Sequence, residues 1–169
     1  MSLQNYKIAR WIFWCGIGVV LLAVLFCGLI YYTKLPKTYA VKSDYEKTEV
    51  LYYLDTVDYD NGKLNISGWA FIPEESIETF RVHVILYDKE HNTCKKIYTF
   101  MQRRSDITEA YDTDSGDGTT TAFDYDSSGF SAYAPLKDDG NVYSVYLLYE
   151  NNGHEIFVDT GHSFTAGRS

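Results

Sequence analysis

The chain has 169 residues and a formal charge of −8, but that charge is divided: the first 43 residues hold five basic and no acidic side chains, and the remaining 126 hold 10 basic against 23 acidic, a formal −13. So acidic a body disfavours nucleic acid and anionic phospholipid as ligands, because both would be repelled. It leaves cations, neutral glycans and basic protein patches open, with plain solubility at a surface as the simplest reason for the charge.

Residues 11–32, WIFWCGIGVVLLAVLFCGLIYY, contain no charged side chain. At about 1.5 Å per helical residue they are long enough to cross a hydrocarbon core of roughly 30 Å. Trp11 and Trp14 at one end and Tyr31 and Tyr32 at the other sit where amphipathic rings meet headgroups. Basic residues flank both ends: Lys7 and Arg10 before, Lys34, Lys37 and Lys42 after. They do not decide orientation. The short head and the acidic, aromatic tail favour an amino terminus in the cytoplasm and an exported body.

Cleavage is the alternative. Thr38-Tyr39-Ala40 has the small residues a signal peptidase needs, but lies ten residues past Ile30. Cys27 would suit a lipoprotein, yet bulky Phe26 precedes it. The apolar run of residues 12–30 also exceeds the about 7 to 15 residues of a signal core. A retained anchor follows. Ala23 and Cys27 are spaced as a small-x-x-x-small pair, which can favour helix pairing in lipid. The expected order is therefore a cytoplasmic head (1–10), a transmembrane helix (11–32), a polar linker (33–47), an extracellular domain (48–165) and a tail (166–169).

Beyond the linker the hydrophobic period is two. A strand is expected over residues 49–57, and Asp60-Asn61-Gly62-Lys63 is a hairpin signal. In the returning strand Leu64, Ile66, Gly68 and Ala70 alternate with Asn65, Ser67 and Trp69. Gly68 beside Trp69 implies a bulge or a close backbone approach. Strands follow over 80–88 and 93–101, then one short helical stretch at 103–111 and a polar loop at 113–121. Three more strands occupy 129–134, 141–150 and 154–160, the last two joined by Asn151-Asn152-Gly153. About seven short strands with hairpin turns specify an all-β, antiparallel immunoglobulin-like sandwich behind one transmembrane helix. Roughly 120 residues suffice for a core. With Cys94 alone beyond the anchor, this core forms without a disulfide of its own. That pattern suits a Gram-positive surface better than a eukaryotic secretory product.

Several short motifs occur in order: Ile66-Ser67-Gly68-Trp69-Ala70-Phe71, Arg104-Ser105-Asp106-Ile107-Thr108 with Tyr111 after it, Ser128-Gly129-Phe130-Ser131-Ala132, Gly140 before Tyr143, and Phe157-Val158-Asp159-Thr160-Gly161. This succession resembles a β-sandwich module of Gram-positive envelope proteins, which accompanies enzymes of teichoic acid and surface polysaccharide assembly and also occurs alone behind a membrane anchor. The resemblance spans roughly residues 51–164. It implies a non-catalytic accessory or glycan-contacting role, with no catalytic residues to carry over.

The candidate site residues have structural alternatives. Trp69 either caps the core or stacks on a ligand. Arg104 offers a fork to phosphate or carboxylate, while Asp106 can cap the turn that follows it. Ser128-Gly129-Phe130 most simply drives Phe130 into the core. Thirteen of the 16 tyrosines follow the anchor. Tyr143 and Tyr149 share a face with Val145 and Leu147, which marks them as core and leaves Tyr146 facing outward as the ligand candidate. In the acidic loop, Asp112, Asp114 and Asp117, followed by Asp124 and Asp126, are the candidate calcium ligands. The EF-hand pattern fails there, since Gly116 stands at position five, Asp117 at six and Phe123 at twelve. No other cofactor is indicated.

An enzyme is the competing class. Cys94 in a membrane-anchored β-domain invites comparison with sortases, but Asn92-Thr93-Cys94 lacks the apolar residues expected before the nucleophile, His83 is too close, and Lys95-Lys96 supplies no arginine. Gly-x-Ser-x-Gly and His-Glu-x-x-His are absent from the sequence. The expectation is a non-enzyme whose partners are the membrane and either a cell-surface glycan or an envelope-assembly protein. In the alternative, the anchor itself recognises a partner helix.

Overall fold

The computed structural model describes residues 3–111 and 123–167. Two compact units divide the chain, Met1–Lys34 and Leu35–Ser169. The first is a single helix, α1 (Leu3–Thr33), whose portion Phe13–Thr33 is long and apolar enough to cross a membrane. It begins before the apolar run because helix formation does not need apolar residues. It ends where Thr33 Oγ1 donates to the Ile30 carbonyl at 2.8 Å and the Lys34 N–H donates to that of Tyr31. Pro36 then disfavours helical backbone at Leu35.

The second unit is an antiparallel β-sandwich. Its elements are β1 (Lys37–Tyr39), β2 (Leu51–Asp60), β3 (Lys63–Phe71), β4 (Arg81–Asp88), β5 (Thr93–Lys96), β6 (Thr99–Gln102), the short helix α2 (Ser105–Tyr111), β7 (Gly129–Pro135), β8 (Asn141–Asn151) and β9 (His154–Ala166). One sheet runs β1-β5-β4-β8-β9 and the other β2-β3-β7-β6. The second order is the A-B-E-D sheet of an immunoglobulin domain, and β5-β4-β8-β9 is its C′-C-F-G sheet. The hairpin signals close as expected: Asn61 and Gly62, and Asn152 and Gly153, all have positive φ, as a two-residue turn that matches strand twist requires.

Between the sheets lies a core that includes Leu64, Ile66, Phe130, Tyr143, Leu147 and Tyr149, none exposed. Phe130, Tyr143 and Tyr149 are therefore where the alternation put them.

Two expectations are corrected. The 93–101 strand is two strands in different sheets. β5 pairs with β4, the chain crosses at Ile97, and β6 pairs with β7. Where β5 leaves, the edge of β4 is satisfied from β6: Val84 N–H donates to Thr99 Oγ1 at 3.2 Å and Val82 N–H to Met101 Sδ at 3.4 Å. Nor are residues 33–47 linker throughout. Residues 37–39 form β1 at one edge of the five-stranded sheet, and the Glu46 N–H donates to the Glu155 carbonyl on β9 at the other edge. Residues 37–46 thus form a strap across the outer face of that sheet. Ile85 and Leu148 on that face are 0% and 1% exposed. That burial needs a cover, and the strap crosses this face.

Candidate functional site

Three of the sequence motifs meet at one bulge. β2 and β3 slip register between Leu54 and Thr56, opposite Gly68. A Cβ on Gly68 would lie 2.1 Å from the Tyr53 carbonyl oxygen, so only glycine admits this approach. The bulge frees Asp55, whose carboxylate accepts from Arg104 Nη1 at 2.6 Å. Arg104 also donates from Nε and Nη2 to Asp106, both at 2.9 Å. These two carboxylates hold the guanidinium protonated well above its ordinary range, Asp106 contributing most. On the other side, Gly129 lacks the Cβ that would strike Arg104 Cγ and the Gln102 carbonyl. Arg104 and Asp106 are therefore together, and the fork offered to a ligand is filled by the chain's own carboxylates.

Trp69 is also committed internally. It points away from the main core into a second cluster with Phe71, Ile107 and Tyr125 on the outer face of the four-stranded sheet. Its ring stacks on Phe71 at 5.5 Å and on Tyr53 at 6.4 Å, and meets Tyr111 of α2 at 5.5 Å. The indole is 9% exposed.

Asp112, Asp114 and Asp117 lie outside the described residues. Asp124 and Asp126 serve the turn before β7. Asp124 accepts from the Asp126 N–H, and Asp126 pairs with Arg103. Bonds from Thr108 and then Arg103 hold the Asp126 carboxyl below its usual range.

Tyr146 differs from these. β8 turns it to the outer face of the five-stranded sheet, where it stacks on Phe157 of β9 at 5.1 Å and meets Tyr87 of β4 edge-on at 6.5 Å. Phe157 in turn stacks on Tyr45 of the strap at 5.2 Å. Strap residues Thr38 to Val41 and sheet residues Tyr87, Asn92, Thr93, Cys94, Tyr146 and Phe157 enclose a groove of about 510 Å³. That size falls within the roughly 300–1,000 Å³ of small-molecule sites. The strap is fixed at this place: Tyr39 and Tyr45 share a hydroxyl hydrogen bond of 2.7 Å, Lys42 pairs with Glu155 at 2.5 Å, and His154 Nδ1 pairs with Glu46 at 2.6 Å. Cys94 lines the groove, and burial pushes its thiol up, away from the thiolate form.

A second recess, of about 520 Å³, lies at the β8–β9 turn and is lined by Phe80, Arg81, His154 and Glu155 among others. His154 there is shared between Glu46 and Glu75, and Glu155 is taken by Lys42, so the aromatic groove is the better site.

Of the four sequence candidates, Arg104 and Asp106 form one ion-paired cluster with Asp55, Trp69 belongs to an aromatic cluster, and only Tyr146 lines an open groove. Sequence reading missed Tyr39, Tyr45, Tyr87 and Phe157. Two tyrosines and Val41 within an otherwise polar linker were the available signal that this stretch covers something. Comparison of the chain with protein-family models, with curated proteins and with solved structures found no match.

Proposed function

We propose that this chain is a membrane-anchored, non-catalytic accessory module that holds a glycan-binding immunoglobulin-like domain at the outer face of a bacterial membrane, in envelope polysaccharide or teichoic acid biology. The observation that carries this reading is the aromatic groove beneath the strap. Aromatic side chains beside hydroxyl and amide groups suit a sugar, whose C–H face packs on aromatic carbon while its hydroxyls find polar partners at the rim. The anchor supports the location, since α1 contains one stretch long and apolar enough to cross a bilayer. Only Lys34, Leu35 and Pro36 separate α1 from β1. In this reading the amino terminus is cytoplasmic and β1–β9 are extracellular.

The test is a glycan array probed with the full chain in lipid nanodiscs. At least one envelope-type oligosaccharide should be retained, and Tyr146→Ala should abolish retention without altering the far-ultraviolet circular dichroism. Retention unaffected by loss of the Tyr146 ring would reject the groove as the site. Exchanging residues 12–30 for an unrelated membrane span should preserve binding; failure of the exchanged chain would point instead to partner recognition by the helix.

A further inference from the structure

We infer that the groove beneath the strap takes an uncharged saccharide ring and rejects units that carry phosphate or carboxylate. The inference rests on the saccharide-binding reading above and narrows it to a ligand class. None of the described residues lining the groove is charged: the walls are Thr38, Tyr39, Ala40 and Val41, and the floor is formed by Tyr87, Asn92, Thr93, Cys94, Tyr146 and Phe157. An anion entering it would lose water and meet no cation among the lining side chains, a cost that only pairing offsets.

The groups around the rim sharpen the choice. Lys42 Nζ is held by Glu155, and Lys96 Nζ stands over the Tyr39 ring, 5.8 Å from its centroid. Carboxylates also act on the phenols of the groove. Asp159 acts on Tyr146, and Glu155 and Glu150 act on Tyr39; after burial, these negative charges help to keep both phenols protonated. The field that disfavours a phenolate disfavours any other anion at the same place.

A neutral ring is served on both counts. Tyr146 and Phe157, stacked on each other to within 17° at 5.1 Å, line the groove with apolar ring carbon that a C–H face can meet. Asn92, already accepting at Oδ1 from the Tyr87 hydroxyl at 3.0 Å, together with Thr38 and Thr93, gives neutral partners for hydroxyls. Arg104, the one bidentate anion ligand the sequence suggested, is spent on Asp55 and Asp106.

The inference is tested by isothermal titration of the full chain in phosphatidylcholine nanodiscs with tetramers of glucose, galactose and N-acetylglucosamine, with phosphorylated counterparts of each, and with poly(glycerol phosphate). At least one neutral tetramer should bind, its phosphorylated counterpart at least about ten-fold more weakly. Tyr146→Leu, which keeps apolar bulk but removes the ring, should weaken the neutral ligand at least about ten-fold, and Asp159→Asn should narrow the gap between neutral and phosphorylated forms. A phosphorylated ligand or poly(glycerol phosphate) that binds as tightly through Tyr146 overturns the inference and leaves saccharide binding intact. Absence of binding by every saccharide overturns both, as does binding of an octyl glycoside that needs the octyl chain and is indifferent to the sugar.

Discussion

Gly68 carries more of this structure than its absent side chain suggests. A methyl group there would sit 2.1 Å from the Tyr53 carbonyl oxygen and 3.1 Å from Leu54 Cα, and both are backbone atoms that cannot rotate aside. Gly68→Ala must therefore straighten the bulge or part β2 from β3, at the upper end of overpacking costs, about 2–3 kcal/mol. A urea melt should show the midpoint falling by the corresponding amount; an unchanged midpoint would mean the bulge is not needed. Opening the bulge would also withdraw Asp55 from Arg104, so the effect should reach the Arg104–Asp106 cluster and α2. Tyr146 is the opposite kind of residue. Its ring is half-buried on an outer face, and losing it should affect ligand more than fold.

At the scale of elements, the strap is the feature that changes the domain boundary. Residues 37–46 run from β1 at one edge of the five-stranded sheet to Glu46 against Glu155 at the other. They cover a face where Ile85 and Leu148 are buried although they point away from the main core. Burial of one such side chain stabilises by about 1.5–3 kcal/mol, so uncovering two forfeits a large share of the roughly 5–15 kcal/mol that holds a domain folded. A chain starting at residue 48 should aggregate or melt well below one starting at residue 35. Equal melting temperatures for the two would show that the strap is an ornament rather than a part of the fold. The groove would vanish with the strap, because Thr38 to Val41 form one wall.

For the whole molecule, two histidines set opposing pH dependences. His83 on β4 is held neutral by burial, helped by Lys96 and Arg81, and its pKa is pushed down to about 4 from the ordinary 6.5. Between those values the unfolded chain binds the proton and the folded one does not, so stability falls as pH drops from about 6.5 to about 4. His154 shifts the other way: its bond to Glu46, with Glu75 beyond, raises its pKa above the ordinary value. Its contribution is full below about pH 6.5 and is lost as pH rises through the raised folded value. Urea midpoints measured across pH should show His83→Gln flattening the acidic limb and His154→Gln flattening the limb above pH 6.5. Unchanged limbs would place these protons elsewhere. Because His154 and Glu46 clasp the strap, the second substitution should also loosen the groove.

The sequence by itself determined the split between an apolar helix and an acidic β-body, most strand positions, both hairpin turns and the bulge at Gly68. Each of these is written in local chemistry: an uncharged run, a period of two, Asn-Gly and Asn-Asn-Gly, a glycine inside a strand. Only the tertiary structure decided where the 93–101 stretch changes sheets. Ile97 at the crossing and Thr99 and Met101 after it all face inward, and since both sheets share one core, the alternation continues unbroken and cannot report it. The strap was hidden for a related reason. Its contacts join β1 to β5 and residues 42–46 to β9, between residues about 55 to 113 positions apart in the sequence, and polar, lysine-bearing residues 33–47 have no period of their own. The site followed the same division. Outward-facing Tyr146 was legible from its strand, whereas Tyr39, Tyr45, Tyr87 and Phe157 gather around it only because the chain folds back across the sheet.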